Sequence, residues 1–177
     1  MDLRPVVAFG DSHTEGIGAI PERAYPAVLE RLLGVPVENA GWRGETAFEA
    51  LSRLPQEVLD RDPRLVLVEF GGNEALRGEP VERALSGLDA ILAELSSRRV
   101  PTILVGVTIP EYGSAWDDGL RALAIRHDAE LVLHALDGIL GDPACTSDDE
   151  WHLNANGYRK LAERLAPVVE KALERAR

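Results

Sequence analysis

A chain of 177 residues, 45% apolar and 28% charged, has the size and composition of one globular domain with a sizeable core. Its 30 acidic against 19 basic residues, a net charge of −11, repel duplex DNA and anionic membranes, and no basic stripe overrides that field. No run approaches the ~18 apolar residues of a membrane span, and the single Cys145 rules out an internal disulfide and a cysteine-built zinc cage.

The chain opens on MDLRPVVAFGD, with no long apolar segment ahead of a small-residue cleavage site. A cytoplasmic location is therefore expected, although a processed secreted or periplasmic form starting on an added Met would look the same. Short apolar, β-prone runs follow at Pro5–Gly10, Pro36–Ala40, Leu65–Gly71, Thr102–Val107 and Glu130–His134. Runs apolar on both faces suit a parallel sheet covered on each side. Helical patterns lie between them. Tyr25–Leu33 follows a proline break, and Thr46–Leu54 opens on a cap, Thr46, with Glu49 three residues on. Pro55–Arg61 is a second short helix entered through proline. Pro80–Arg98 carries Ala84, Leu88, Ile91, Leu92 and Leu95 on one stripe, and Ala115–His127 and Ala155–Leu173 complete the set. Strand–helix alternation with short connections predicts right-handed crossovers and a doubly wound α/β sheet of about five strands in a single domain, residues 1–177. In such sheets ligands bind beyond the carboxyl ends of the strands.

Four segments fall at that edge. Ser12 follows the first strand between Gly10 and Gly16. That placement suits a nucleophile or a phosphate loop, and equally a glycine-rich turn; the spacing is neither the G-x-S-x-G elbow nor a Walker loop. Gly44 stands just before a helix, where a backbone N–H can face an anion. Asn73 closes the third run, and its amide can polarise a carbonyl; a plain strand-ending turn reads the same way. His152 precedes the last helix with Asp149 three residues earlier, close enough to accept a hydrogen bond from one ring nitrogen and leave the other free to take a proton from a serine. Metal binding by Asp148, Asp149, Glu150 and His152 is not expected, since no second histidine sits at ligand spacing. His13 either lines the site or is a solvated turn residue. His127, His134 and Cys145 read as structural. Together the four loops hold a nucleophile, oxyanion donors and a base with its orienter, the parts of acyl transfer.

The blocks G-D-S-H-T-E-G (Gly10 to Gly16), A-G-x-R-G-E-T (Ala40 to Thr46), G-G-N-E (Gly71 to Glu74) and D-E-W-H (Asp149 to His152) resemble the GDSL/SGNH hydrolase superfamily. The stretch from Arg53 to Gly78 and the loop Ile109-Pro110-Glu111-Tyr112-Gly113 are most similar to its bacterial thioesterase I/arylesterase/lysophospholipase subgroup. The resemblance implies a flavodoxin-like three-layer αβα sandwich and hydrolysis of esters and thioesters without metal or cofactor. It implies Ser12 as nucleophile, Ser12 N–H, Gly44 N–H and the Asn73 side chain as oxyanion hole, His152 as base and Asp149 as its partner. The chain departs from the subgroup at His13 (usually Leu), Glu74 (usually Asp), Glu150-Trp151 (usually Gly plus an aliphatic residue) and Leu153 (usually Pro). The departures beside His152 make Asp148 an alternative orienter.

The segment Gly106–Trp116 is expected to wall the acyl site, with His13, Pro110, Tyr112 and Trp151 as substrate contacts. No insertion is long enough for a large lid, so an open cleft taking short to medium acyl chains follows. The expected partner is a small acyl ester. Two other readings remain at this stage: a carbohydrate acetylesterase with the same chemistry, and a non-catalytic domain holding phosphate or flavin on the Gly10–Gly16 loop.

Overall fold

The computed structural model describes residues 4–175; Met1–Leu3, on which the expectation about a leader segment partly rests, lie outside them. Five parallel strands form one sheet in the order β2-β1-β3-β4-β5. They are β1 (Val6–Gly10), β2 (Val37–Gly41), β3 (Leu65–Glu69), β4 (Thr102–Val105) and β5 (Glu130–Val132). Every residue of β1, β3 and β4 is buried, as strands covered on both faces must be, whereas edge strand β2 exposes Glu38 and Asn39. β3 and β4 end sooner than the apolar runs do. Gly71, at φ +124, turns the chain out of the sheet, and a side chain there would strike the buried Trp116 ring.

Two helix groups cover the sheet. α2 (Tyr25–Leu33) packs on α8 (Ala155–Arg175), while α6 (Val81–Ser97) packs on α7 (Ser114–Arg126) and on α3 (Ala47–Ala50). The stripe expected on α6 is the buried one, from Ala84 to Leu95. Thr46 and Glu49 form the anticipated capping box on α3. That helix stops at Ala50 rather than at Leu54, and the chain re-enters a helix at α4 (Leu54–Glu57), with Pro55 in its first turn.

The chain passes from β1 to β2 on one side and to β3 on the other, so the order reverses between β1 and β3. Their last residues, Gly10 and Glu69, are partners in register. Gly10 and Gly41 leave no room for a side chain: a Cβ on Gly10 would enter Thr14, and one on Gly41 the backbone of Glu15. This close approach lets a one-turn helix not anticipated in the sequence, α1 (Ser12–Glu15), sit directly over the reversal point. A second such helix, α5 (Gly72–Leu76), follows β3. No helix of the described residues is long and apolar enough to cross a membrane.

Candidate active site

Ser12 is the first residue of α1, behind Asp11, whose Oδ1 caps the helix by accepting the His13 N–H at 3.1 Å. The capping turn presents the serine hydroxyl at the sheet edge. His152 Nε2 lies 2.9 Å from Ser12 Oγ, across 140 residues of sequence. The opposite ring nitrogen, Nδ1, lies 2.6 Å from Asp149 Oδ2, so Asp149 rather than Asp148 orients the imidazole. A carboxylate accepting at Nδ1 places the proton there and leaves Nε2 free to accept from the serine.

The loop carrying the pair is held by its own hydrogen bonds. Asp149 Oδ1 accepts from Ser147 Oγ at 2.7 Å and from the N–H groups of Trp151 and His152, each at 2.9 Å. These bonds, with Ser147 first and the imidazole next, hold the Asp149 carboxyl well below the usual carboxylate range. Ser147 N–H donates to the His152 carbonyl at 2.8 Å and closes the turn, with Glu150 in the left-handed region at φ +64. Tyr158 Oη donates to the Ile17 carbonyl at 2.6 Å and ties α8 to the chain just after α1. The His152 loop is thereby fixed against the Ser12 turn.

Asn73, on α5, donates from Nδ2 to the Glu45 carbonyl at 2.9 Å and to Asp11 Oδ2 at 3.1 Å. The amide is thus anchored between the residue after Gly44 and the residue before Ser12. Gly44 turns at φ +75, and its carbonyl accepts from Arg77 at 2.6 Å. The three expected oxyanion positions therefore share one cluster. Arg53, unremarkable as a charged residue near a helix end, braces that cluster from beneath. It donates to Glu45 at 2.7 Å, to the Ala40 carbonyl at 2.7 Å and to the Gly10 carbonyl at 3.2 Å, with its guanidinium over the Phe9 ring. Glu74 is buried and accepts the Ala47 N–H at 2.7 Å, capping α3; burial raises its pKa.

A groove of about 580 Å³ opens beside the serine turn, lined by His13, Leu76, Ile109, Pro110, Leu136 and Trp151 among others. Leu76 and Trp151 stand at its mouth, both well exposed. Tyr112 does not line it. Its hydroxyl donates to the Glu79 carbonyl at 2.9 Å and its ring leans on Trp116, so it buttresses the wall from behind. His127 and His134 pair with Asp89 on α6 and Asp117 on α7. Cys145 is buried against Asp142.

Among the described residues one group of possible metal ligands converges: Asp11, His13 and Glu69, with ligand atoms within 4.8 Å of one another. Both Asp11 oxygens already accept hydrogen bonds, from His13 N and Asn73 Nδ2. Burial would lower the His13 pKa, but the hydrogen bond and charge of Asp11, the charge of Glu69 and the Trp151 carbonyl outweigh it and raise it to about 9. Burial, then the charge of Asp11, push Glu69 up to about 8. The trio suits shared protons. Nothing in the sequence marked Glu69 beyond a lone carboxylate closing an apolar run.

Residues 8–160 match the model of the GDSL-like Lipase/Acylhydrolase family. The chain is 29% identical over 172 residues to the thioesterase 1/protease 1/lysophospholipase L1 of Escherichia coli K12, covering 93% of this chain and 83% of that one. It is 28% identical to an arylesterase of Vibrio mimicus, covering 95% and 89%. Among solved structures it superposes on AlinE4, an SGNH-hydrolase family esterase, with TM-score 0.77 at 34% identity and 98% of each chain covered.

Proposed function

The chain belongs to the GDSL-like lipase/acylhydrolase family and is a serine esterase, and on that footing we propose that Ser12 is its nucleophile, acting through an acyl-enzyme. The observation that carries the assignment is the unbroken chain Ser12 Oγ–His152–Asp149, at 2.9 and 2.6 Å, beside the groove. His152 Nε2 takes the Ser12 proton as Oγ attacks the acyl carbon, while Asp149 keeps the Nδ1 proton and offsets the imidazolium charge. The oxyanion forms against Ser12 N–H, Gly44 N–H and Asn73. Both Asn73 N–H groups hold partners at rest, the Glu45 carbonyl and Asp11 Oδ2, and the whole amide rotates to bring one of them to the new charge. Imidazolium returns its proton to the leaving alkoxide or thiolate. Water then attacks the acyl carbon, His152 takes its proton, and Ser12 recovers that proton as the acid departs.

The groove suits short to medium acyl chains, carried as aryl esters, thioesters or lysophospholipids, the substrate classes in the relatives' names. Each buried methylene contributes ~0.8 kcal/mol until the chain outgrows the wall. Fluorophosphonate treatment followed by peptide mass spectrometry should place the adduct on Ser12, and Ser12→Ala should abolish both adduct and turnover. Labelling elsewhere with Ser12→Ala active would overturn the nucleophile. A p-nitrophenyl ester series peaking at palmitate would overturn the acyl range.

A further inference from the structure

His13 lies one residue beyond the nucleophile, and the reaction outlined above gives it no step. Its ring stands 5.5 Å, centroid to centroid, from that of His152, tilted by 47°. On its other side are two buried carboxylates. Asp11 Oδ1 is 3.7 Å from His13 Nδ1, and Glu69 arrives from the end of β3 with Oε2 bonded to Thr14 and Oε1 buried without a partner. His13 Nε2 is likewise buried without a hydrogen bond. Burial drives Glu69 toward its neutral form, which leaves the Asp11 carboxyl, 3.7 Å from Nδ1, as the group an imidazolium would balance. Among the described residues the His13 imidazole shares the cluster of these two carboxylates.

We propose that His13 is a positioning residue that holds a proton between Asp11 and Glu69 and so keeps a positive charge against the ring of His152. The inference rests on His152 being the base. A cation at that distance opposes a second positive charge on His152 in the resting enzyme, so the base stays free to accept from Ser12 at lower pH. The raised pKa of His13, about 9, agrees with a retained proton. The other ionisable groups facing His13 fit the same balance. Tyr25, from α2, is a neutral phenol bonded to Thr14 and held well above its usual range, chiefly by burial. Glu150 lines the groove beside it, and Glu111 and Asp137 line the groove too. All three are acids, and an acid cannot supply a positive charge.

The test compares the pH dependence of kcat/KM on p-nitrophenyl acetate in the wild type and in His13→Gln, which keeps a polar side chain but carries no charge. A unit charge at about 5.5 Å moves a titration by roughly two pH units at an effective dielectric of about 20, the value suited to a partly buried site. The acid limb in His13→Gln should therefore move up by about two units. A role in packing alone would lower the plateau and leave the limb in place. A limb that is present and unmoved, or moved down, overturns the role of His13. A wild type with no acid limb at all overturns the histidine base instead. If His13→Gln does not fold, imidazole NMR on the wild type decides. The His13 ring should keep its proton beyond about pH 8, and losing it below about pH 7 overturns the proposal.

Discussion

Asp149→Asn replaces one of the two oxygens on which four hydrogen bonds converge. An amide has one acceptor oxygen, so it must choose. With the oxygen toward His152 Nδ1, its NH2 group meets the N–H groups of Trp151 and His152, and two bonds of 2.9 Å are lost. With the NH2 toward Nδ1, only the 2.6 Å bond is sacrificed, so this is the favoured orientation. The imidazole then accepts at Nδ1 and carries its proton on Nε2, where it can no longer take one from Ser12. Restoring the working tautomer costs the two backbone bonds, about 1–3 kcal/mol because water reaches this loop. Losing the carboxylate beside the imidazolium adds a similar amount. A barrier increase of about 4 kcal/mol corresponds to a roughly thousandfold drop in kcat. Steady-state hydrolysis of p-nitrophenyl acetate, with thermal melting as a check on folding, measures it. Asp148→Asn, one residue away, should stay within about threefold of the wild type. An Asp149→Asn enzyme within about tenfold of the wild type would refute the tautomer argument.

Asn73→Ala should lower kcat on the order of 100-fold or more with a small change in KM, because the amide is used when the oxyanion forms; near-normal turnover would remove Asn73 from the hole. Arg53→Ala leaves the largely buried Glu45 without its ion pair and takes a donor from the Ala40 and Gly10 carbonyls, the second of which keeps the Trp42 N–H, and should cost about 3 kcal/mol in urea unfolding. A loss below about 1 kcal/mol would mean that water replaces the guanidinium. Glu69→Gln should change the pH dependence of stability. The folded state holds the Glu69 proton up to about 8 while the unfolded chain releases it near the ordinary 4.5. The folded state therefore binds more protons across that window, and the Glu69 contribution falls as pH rises through it. Glutamine has no such slope, so the melting temperature of Glu69→Gln should gain on the wild type between pH 5 and pH 8. Equal gaps at both ends would show that Glu69 ionises normally.

Much of the architecture was legible without coordinates, because hydrophobic pattern and turn chemistry are local. The doubly β-buried runs of β1 and β3, the stripe on α6 and the Thr46–Glu49 cap all follow from side chains within a few residues of one another. Local logic also set Asp149 and His152 three residues apart in one turn. Other features had no local signal. Tyr112, named as a substrate contact, faces the chain before α6 because Glu79 offers its carbonyl there. Arg53 had no local signal of a bracing role, which it gains only because the ends of β1 and β2 converge on it. Glu69 acquired its raised proton affinity only when β3 carried it under Asp11 and His13.

The amino-acid order by itself marked the candidate chemical residues and the runs that lie in the sheet, since those readings depend on composition and spacing along the chain. Only the tertiary structure decided that Ser12 and His152, 140 residues apart, meet within 2.9 Å, and that two carboxylates and an imidazole cluster beside them. Distance, burial and proton affinity depend on what packs across the fold, and parallel pairing of β1 with β3 brings those groups together at the strand ends.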